Sequence, residues 1–535
     1  MSFKRNDNNQ LSLNDSMYTL TDREMKFLEK SWAKPFAEIV FPAIDEEPFS
    51  VLYSDVASRP NTPVNVILGS LILKEIQRLT DDEVVESLMF DIRFQYALHT
   101  TSCKEQPLSD RSLSRFRERC LAYEVKTGKD LIKDCITKLS AEISTVMGIS
   151  GNVKRMDSMM ISSNIKKLSR FQLLYTCVAN MVNLIHKNVD KVPSGMEHYT
   201  EIEDYNRMVY HMRSIDLSDR YTIVLTDAKR LIEECDKDFD QSSEYQLLMR
   251  VVNEQTKEDE NGRFVLKDKS DNSMNSSILQ NPSDPDATFR TKAGKQHRGY
   301  AANLTEDVDI EEKNSIISDY DYDVNTHSDS QFLKDYLEEH GKESDTITMI
   351  ADGAYGGTNN HKLAAEHNVN LVTTNFQGKK PKAILADFQF SEDGKEVLKC
   401  PGGQIPKTNK YYESTGQCRV TFNKSICERC PFKNDCKPNL QKKKAVLQIS
   451  HKSAFNAKQM KYMKTEEFFE YAKIRNGVES LPSIFRRKYN VDNMPVRGKL
   501  STKLFFGFKV AALNFKKLWD YTDSLVNHAP IPEFC

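Results

Sequence analysis

The sequence carries almost no net charge: 75 Lys and Arg residues stand against 77 Asp and Glu in 535 residues, a formal charge of -2 at pH 7. A chain so balanced has no overall attraction to nucleic acid, so a surface that binds a polyanion has to arise from local separation of charge. Such separation exists along the chain. Residues 440–520 are crowded with Lys and Arg, whereas residues 301–346 carry many Asp and Glu.

Long apolar runs are also absent. No stretch approaches the roughly 18 apolar residues of a membrane span, and the opening MSFKRNDNNQLSLND lacks the apolar run of a signal peptide. We therefore expect a soluble protein without a membrane partner. There is no internal repeat, and 535 residues are too many for one hydrophobic core, so we expect two to four structural units.

Residues 1–145 are predicted to form a helical N-terminal domain. From Val64 onward, VNVILGSLILKEIQRL places apolar residues at helical spacing, and Thr80 with Glu83 forms a capping box that starts another helix. LSDRSLSRFRERC predicts a further helix with basic positions. Residues 1–50 begin polar and are predicted to be peripheral.

An α/β core is predicted for residues 150–165 and 285–390. The run VKRMDSMMI predicts a first strand, and the later segments alternate as β-β-α-β-α-β, with Gly341 ending the first of the two helices. This order implies a mixed sheet flanked by helices. Residues 166–284 interrupt the core and read as a helical insertion, with a polar linker over 256–292.

Two aspartates occupy strand positions in this core. Asp157 lies in VKRMDSMMI, where an unpaired carboxylate is costly, and Asp352 closes the apolar run of ITMIADGAYGG, before glycines that let a substrate approach the backbone. Acids at two strand ends suit a divalent metal. Either residue alone is as well explained as a turn former or helix cap.

A third acid, Glu479, follows in YAKIRNGVESLPSIFRRKY. On a helix, Arg475, Glu479 and Arg486 recur at spacings of four and seven, which keeps them near one face. Glu479 would share its face with apolar residues and point inward. The alternative is an exposed salt bridge between Arg475 and Glu479.

A cysteine cluster is the second candidate site. Cys427 and Cys430 form a C-x2-C pair with Cys400 and Cys436 nearby, and four thiolates can close a structural zinc site, with Cys418 as a spare ligand. Reduced, unliganded thiols are the alternative, and the lack of His in the cluster argues against a catalytic zinc. The scattered cysteines are predicted to be small apolar residues: Cys103, Cys120, Cys135, Cys177, Cys235 and Cys535.

Other polar residues are weaker candidates. Asp319, Asp321 and Asp323 alternate along a predicted strand, so their carboxylates share a face that could attract a metal. A solvated acidic face on an edge strand is the favoured interpretation.

The three acidic segments together resemble a known family. MDSMMISSNIKKLSR, IADGAYGG and YAKIRNGVESLPSIFRRK occur in the order and character of the acidic motifs of bacterial insertion-sequence DDE transposases. The last is similar to the Tyr-Arg-Glu-Lys signature of the InsH-like group, although Tyr471 is displaced from the usual spacing and Arg486 takes the lysine position. VNVILGSLILKEIQRLTDDEVVESLMF and VRGKLSTKLFFGFKVAALNFKKL resemble the family's N-terminal domain and C-terminal ending.

The resemblance implies a ribonuclease H-like fold in which Asp157, Asp352 and Glu479 are catalytic and bind Mg²⁺ or Mn²⁺. It further implies a Cys-rich zinc-binding insertion at 391–450 and a C-terminal part of the core at 451–535 that carries the Glu helix. The predicted DNA contacts are Arg475, Arg486, Lys488, Lys379, Arg115 and Arg117.

The implied activity is metal-dependent cleavage of double-stranded DNA at the terminal inverted repeats and strand transfer into target DNA. The expected protein is a homodimer in the transposition complex, located in the bacterial cytoplasm with the nucleoid. Two alternatives remain: a catalytically inactive, transposase-derived DNA-binding protein or repressor, and a nuclease that does not transpose.

Overall fold

The structure is a computed structural model. It describes residues 1–6, 15–56, 58–100, 108–109, 111–189, 192–210, 217–268, 270–292, 294–376 and 380–528.

The N-terminal region is helical, as predicted. The capping box is confirmed: the Thr80 hydroxyl accepts a hydrogen bond from the Glu83 backbone, and the Glu83 carboxylate accepts one from the Thr80 backbone. The peripheral position predicted for residues 1–50 is wrong, because Trp32, Phe36 and Phe49 are buried in the main core. The helices are α1 Asp22–Glu29, α2 Ala33–Pro35, α3 Val64–Gln77, α4 Asp81–Phe90, α5 Ile92–Ala97, α6 Ser112–Thr127 and α7 Leu131–Val146.

Strand β1, Val153–Ser162, is followed by an insertion with its own apolar core around its first helix. The segment predicted as a linker is partly ordered into a short hairpin, because two brief β-forming runs flank a turn at Gly262. The elements are α8 Arg170–Val189, α9 Ile202–Tyr210, α10 Leu217–Phe239, α11 Ser243–Gln255, β2 Thr256–Glu258 and β3 Phe264–Leu266.

The chain then completes the main sheet in the predicted β-β-α-β-α-β order, and Gly341 is confirmed as the end of the first of these helices. The central strands run in the order β6-β5-β1-β7-β8. β1 pairs antiparallel with β5 and parallel with β7, so the sheet is mixed, as expected. The elements are β4 Thr288–Lys292, β5 Lys295–Val308, β6 Ser315–Val324, α12 Asp329–His340, β7 Ile347–Ala351, α13 Thr358–Glu366 and β8 Val369–Thr373.

Side chains of β1 alternate between two cores, as the pleat requires. Met156 and Met160 pack against α12 and α13, whereas Met159 and Ile161 face the N-terminal helices. Helices therefore cover both faces of the sheet.

The Cys-rich segment contains a four-stranded antiparallel sheet in the order β11-β12-β14-β13, together with a two-stranded pair. Its elements are β9 Gln389–Phe390, β10 Val397–Lys399, β11 Thr408–Tyr412, β12 Gln417–Asn423, α14 Lys424–Arg429, α15 Lys433–Cys436, β13 Asn439–Leu440 and β14 Lys444–Ile449.

The C-terminal helices return to the sheet. The single helix predicted around Glu479 is broken by a 3-10 turn at Gly477–Glu479. The last helix packs on α3, α7 and β6, so the beginning and the end of the chain share one hydrophobic core. In the described part of the chain, no helix is long and apolar enough to cross a bilayer. These helices are α16 His451–Tyr462, α17 Glu466–Asn476, α18 Ser480–Tyr489 and α19 Lys499–His528.

Candidate active site

Asp157 and Asp352 occupy adjacent positions on neighbouring strands. Met156 of β1 pairs with Ala351 of β7 in parallel register, and each aspartate is the next residue along its strand. Because paired strands lie about 4.8 Å apart, the two side chains leave the backbone at neighbouring points. The sheet thus brings together two acids that are 195 positions apart in the sequence.

Backbone and amide donors hold both carboxylates. Asp352 Oδ1 accepts hydrogen bonds from the Gly353 backbone at 2.5 Å and from Asn375 Nδ2 at 3.2 Å. Asp157 Oδ1 accepts one from the Ser158 backbone at 2.9 Å. Sequence reasoning missed Asn375, although a polar residue just after β8 lies at the sheet edge where Asp352 ends β7.

Arg475 joins Asp157 to Glu479. Its Nη2 lies 3.4 Å from Asp157 Oδ2, and its Nη1 donates a short hydrogen bond to Glu479 Oε1. The Arg475 side chain is only 11% exposed, against 58% for Glu479. The salt bridge between Arg475 and Glu479, given above as the alternative, is present. However, Arg475 is buried and also contacts Asp157. The expectation that Glu479 points inward is wrong in this conformation, because the 3-10 turn turns its side chain to solvent.

Arg155 and Gly477 explain how α17 reaches the sheet. Arg155 lies two residues before Asp157, on the same face of β1, and its Nη1 donates a hydrogen bond to the Ile474 carbonyl at 2.9 Å. A Cβ added at Gly477 would clash with the Arg155 guanidinium unless that side chain moved. Glycine therefore leaves room for the Arg155 guanidinium, which holds the end of α17 against β1 near Asp157.

Burial raises the pKa of the Asp157 carboxyl above its ordinary value. The Arg475 guanidinium works in the opposite direction, and the negative charge of Asp352 raises the pKa further. Lys292, which sequence reasoning also missed, contributes a nearby positive charge. Asp157 is thus a desolvated acid whose charge the protein only partly compensates.

Carboxylate oxygens are the ligands that Mg²⁺ and Mn²⁺ prefer, so the donor set suits a divalent cation. Asp157 and Asp352 are already adjacent. Glu479 is held by Arg475, so it has to turn toward the aspartates before the three acids can share a cation.

The other residues predicted to contact DNA differ in their surroundings: some are exposed and others are paired with acids. Arg486 donates a hydrogen bond to the Met160 carbonyl at 2.8 Å and pairs with Asp492, while Lys488 and Arg115 are exposed. Arg117 is 12% exposed, pairs with Asp81, and lies over the ring of Phe505. Lys379, Cys103 and Cys535 lie outside the described residues.

The four cysteines proposed as a cluster lie in the same part of the Cys-rich segment. A Cβ added at Gly402 would lie 3.2 Å from Cys430 Sγ and 3.8 Å from Cys400 Sγ. Burial, together with the charges of Cys430 and Cys400, raises the pKa of Cys436 to about 11. The thiols are thus near enough to influence one another electrostatically, but within the described residues no three of their sulfurs lie within 4.8 Å of one another, so they have to move closer to bind one metal.

Cys418 lies apart from this cluster. It is buried in β12, and its thiol donates to the Lys395 carbonyl at 3.1 Å. Among the scattered cysteines, Cys120, Cys135 and Cys177 are buried as predicted.

A separate acidic group surrounds Asp319. Ligand atoms of Asp319, Glu339 and His340 lie within 4.8 Å of one another. The solvated acidic face expected here is wrong for Asp319, which is 4% exposed, because Lys133 of α7 reaches over β6 and pairs with Asp319, Asp321 and Glu339. Lys133 supplies one positive charge to this group, and the pKa of Asp319 is nevertheless raised to about 6 by burial.

Comparison with known families gives two matches. Residues 26–119 match the family described as a transposase domain (DUF772), and residues 399–519 match the family described as a transposase DDE domain. The second range contains the cysteine cluster, Arg475 and Glu479, whereas Asp157 and Asp352 lie outside both ranges. No curated protein and no solved structure matches the chain. The two matches support a DDE transposase.

Proposed function

We propose that this chain is a DDE transposase that cleaves double-stranded DNA at the ends of its element and joins the resulting 3′-hydroxyl ends to target DNA. One observation carries the proposal: Asp157 lies beside Asp352 in the sheet and shares Arg475 with Glu479. The two transposase-family matches support the same class of enzyme.

The strand order also supports a ribonuclease H-like catalytic core. Three antiparallel strands, β6, β5 and β1, are followed by the parallel strands β7 and β8, with the two aspartates at the middle of the sheet. Under this proposal the core spans 150–165 and 285–390, and 166–284 is an insertion. The N-terminal domain at 1–145 recognises DNA, and 451–535 carries the Glu helix.

In this proposal Asp157, Asp352 and Glu479 hold Mg²⁺ or Mn²⁺, which would activate water or a 3′-hydroxyl and stabilise the leaving oxygen. Asn375 and the Gly353 amide orient Asp352. Arg475 is released from Glu479 when that residue joins the aspartates. Its guanidinium is then free to pair with a DNA phosphate.

The remaining assignments belong to the same proposal. Cys400, Cys427, Cys430 and Cys436 hold a structural zinc ion, and Arg486, Lys488, Arg115, Arg117 and Lys379 contact DNA. A homodimer acts on both ends of the element in the cytoplasm.

Cleavage of DNA that carries the inverted repeats flanking the gene tests the proposal. We expect Mg²⁺-dependent nicks and strand-transfer products from the wild type, and neither from Asp352→Asn. Asp345→Asn is the matched control, because Asp345 is an exposed acid before the opposite end of β7; it should cleave normally.

Each alternative predicts a different result in the same assay. Binding of the ends without cleavage by the wild type would identify a DNA-binding protein or repressor. Cleavage without strand transfer would identify a nuclease. Cleavage that survives Asp352→Asn would exclude the proposed site.

A further inference from the structure

A second charged surface lies outside the candidate active site, against the Cys-rich segment. It is a groove of about 560 Å³, called here the basic groove. Lys380, Lys382, Arg419 and Lys437 line it, together with the amides of Asn439 and Gln448. No carboxylate lines it, and within the described residues none of its four cations forms an ion pair with an acid.

Unpaired charge distinguishes this groove from the basic cleft beside α18. In that cleft Lys74 and Arg117 pair with Asp81, and Lys509 pairs with Glu75, so the protein itself satisfies much of its positive charge. The cations of the basic groove repel one another without such ion pairs within the described residues, and Asp387 and Asp435 only line the adjoining cavity beside Lys382 and Lys437. An anionic partner would remove that repulsion.

Lys437 has a backbone conformation that does not favour lysine. Its φ is 49°, in the left-handed region that glycine or asparagine adopts at lower cost. The turn at the end of α15 therefore gives no reason for a lysine. The position of the Lys437 side chain along the basic groove does give a reason for a lysine.

The groove is joined to the candidate active site by short segments on both sides. Asn375, which contacts Asp352, is five residues before Lys380, so their Cα atoms are at most about 18 Å apart. On the other side, α16 forms part of the groove wall and leads into α17, which carries Arg475. About five base pairs of B-form DNA span such a distance.

The lining favours duplex DNA over a single strand. No aromatic ring lines the groove, so unpaired bases find nothing to stack on. Lysine, arginine and amide donors suit phosphate oxygens and read no base sequence.

We propose that the basic groove binds the phosphate backbone of duplex DNA next to the cleavage site, independently of base sequence. The inference rests on the proposed function for the presence of DNA and deepens it by adding a second contact surface. That surface holds the duplex in line with Asp157 and Asp352 while the N-terminal region binds elsewhere.

Binding of the full-length protein to a random-sequence duplex of several helical turns tests the groove. The variant carries Lys382→Gln, Arg419→Gln and Lys437→Gln. Each lost phosphate contact lowers the slope of log affinity against log salt by about 0.9, so we expect the slope to fall by about 2 to 3 and affinity to drop at least about tenfold at low salt.

The matched control carries Lys187→Gln, Lys257→Gln and Lys313→Gln. These lysines are exposed and lie away from the groove, and Lys313 shares the left-handed backbone of Lys437, with φ 59°. The control should keep the wild-type slope. A single Lys437→Gly variant relaxes the backbone, so it should fold at least as stably as the wild type and still bind DNA more weakly.

Failure of the groove and failure of the proposed function give different results. If the groove variant keeps the wild-type slope and affinity, the basic groove is not a DNA contact, whatever the cleavage assay shows. If the wild type binds duplex DNA but does not cleave it, and the groove variant lowers the slope and the affinity, the basic groove is a DNA contact and the enzyme proposal falls. If the wild type binds no duplex DNA, both are wrong.

Discussion

Arg475 is a buried cation between two carboxylates that belong to different parts of the chain. Its Nε is buried and has no hydrogen-bond partner within the described structure. An arginine in this position supplies the positive charge that a divalent metal would supply to the same acids. The conformation described here is therefore one in which the protein's own cation balances the candidate site.

Arg475→Gln removes that cation and leaves Asp157 buried without it. We expect the free energy of unfolding to fall by about 1–3 kcal/mol in metal-free buffer, mostly through Asp157, because the Glu479 pair is exposed. Much of the loss should return in Mn²⁺, since a cation bound to the acids neutralises the same charge. Denaturant unfolding with and without Mn²⁺ measures both effects.

Lys473→Gln is the control for this prediction. Lys473 lies on the exposed side of α17 and, among the described residues, pairs only with the exposed Glu470. Its substitution should change neither stability nor the effect of Mn²⁺. If Mn²⁺ does not restore the stability that Arg475→Gln loses, the metal and the Arg475 guanidinium do not neutralise the same carboxylates.

Asp157 makes folding depend on pH. Its pKa in the folded protein is above the ordinary 3.8, so the folded state holds the proton more tightly than the unfolded chain does. Stability therefore falls as pH rises from about 3.8 through the raised pKa. We expect Asp157→Asn to gain stability relative to the wild type between about pH 3 and about pH 7, while DNA cleavage is lost.

Denaturant unfolding of the wild type and of Asp157→Asn at both pH values tests whether the variant gains stability relative to the wild type as pH rises. Asp345→Asn, at an exposed position, should show no such gain. An equal stability difference at both pH values would rule out a raised Asp157 pKa.

At the scale of elements, the Cys-rich segment is a small sheet with few apolar residues of its own. Strands as short as β13 and β10 gain little from packing, so a metal held by four thiolates would supply a large part of the segment's stability. Cys400 and Cys430 both lie beside Gly402, in the part of the segment that such a metal would hold together.

Cys430→Ser should therefore abolish stoichiometric zinc in the purified protein and lower the thermal stability of the segment. Cys418→Ser is the matched control, because Cys418 lies in the same sheet but outside the cluster; it should keep its zinc. Metal analysis of both purified variants measures their zinc content. Zinc retained by Cys430→Ser would exclude the proposed ligand set.

At the scale of the whole molecule, the two ends of the chain form one core. Phe36 and Phe515 make an edge-to-face contact at 5.0 Å, and both are fully buried. Both tryptophans belong to this region: Trp32 is in the core, and Trp519 packs against it. The N-terminal helices and α19 should therefore unfold together.

Phe515→Ala removes a ring from this shared core and should lower the free energy of unfolding by about 3–5 kcal/mol. Tryptophan fluorescence reports the loss directly, since both tryptophans lie there. Leu525→Ala, at an exposed position of the same helix, should have little effect. Two separate fluorescence transitions in the wild type would show that the N-terminal helices fold on their own.

The basic and acidic segments of the chain form ion pairs with each other in the folded molecule. Lys499 and Lys517 come from the basic segment 440–520, and they pair with Asp323 and Glu306 of the acidic segment 301–346. Part of the basic run that resembled a DNA-binding surface thus holds α19 to the sheet. The cations of the basic groove, by contrast, form no ion pairs in the part of the chain that the structure describes.

Local features were determined by the sequence alone. The Thr80 capping box, Gly341 at a helix end, the alternation of strands and helices, and the strand end at Asp352 were predicted correctly, because each depends on residues within a few positions of one another.

Only the tertiary structure decided the exposure of Glu479, the exclusion of Cys418, the burial of residues near Phe36 and the partners of the charged side chains. The hydrogen bond between Lys517 and Glu306 joins residues 211 positions apart. Such contacts depend on which surfaces meet after the chain has folded, and nothing in the neighbouring sequence specifies the partner.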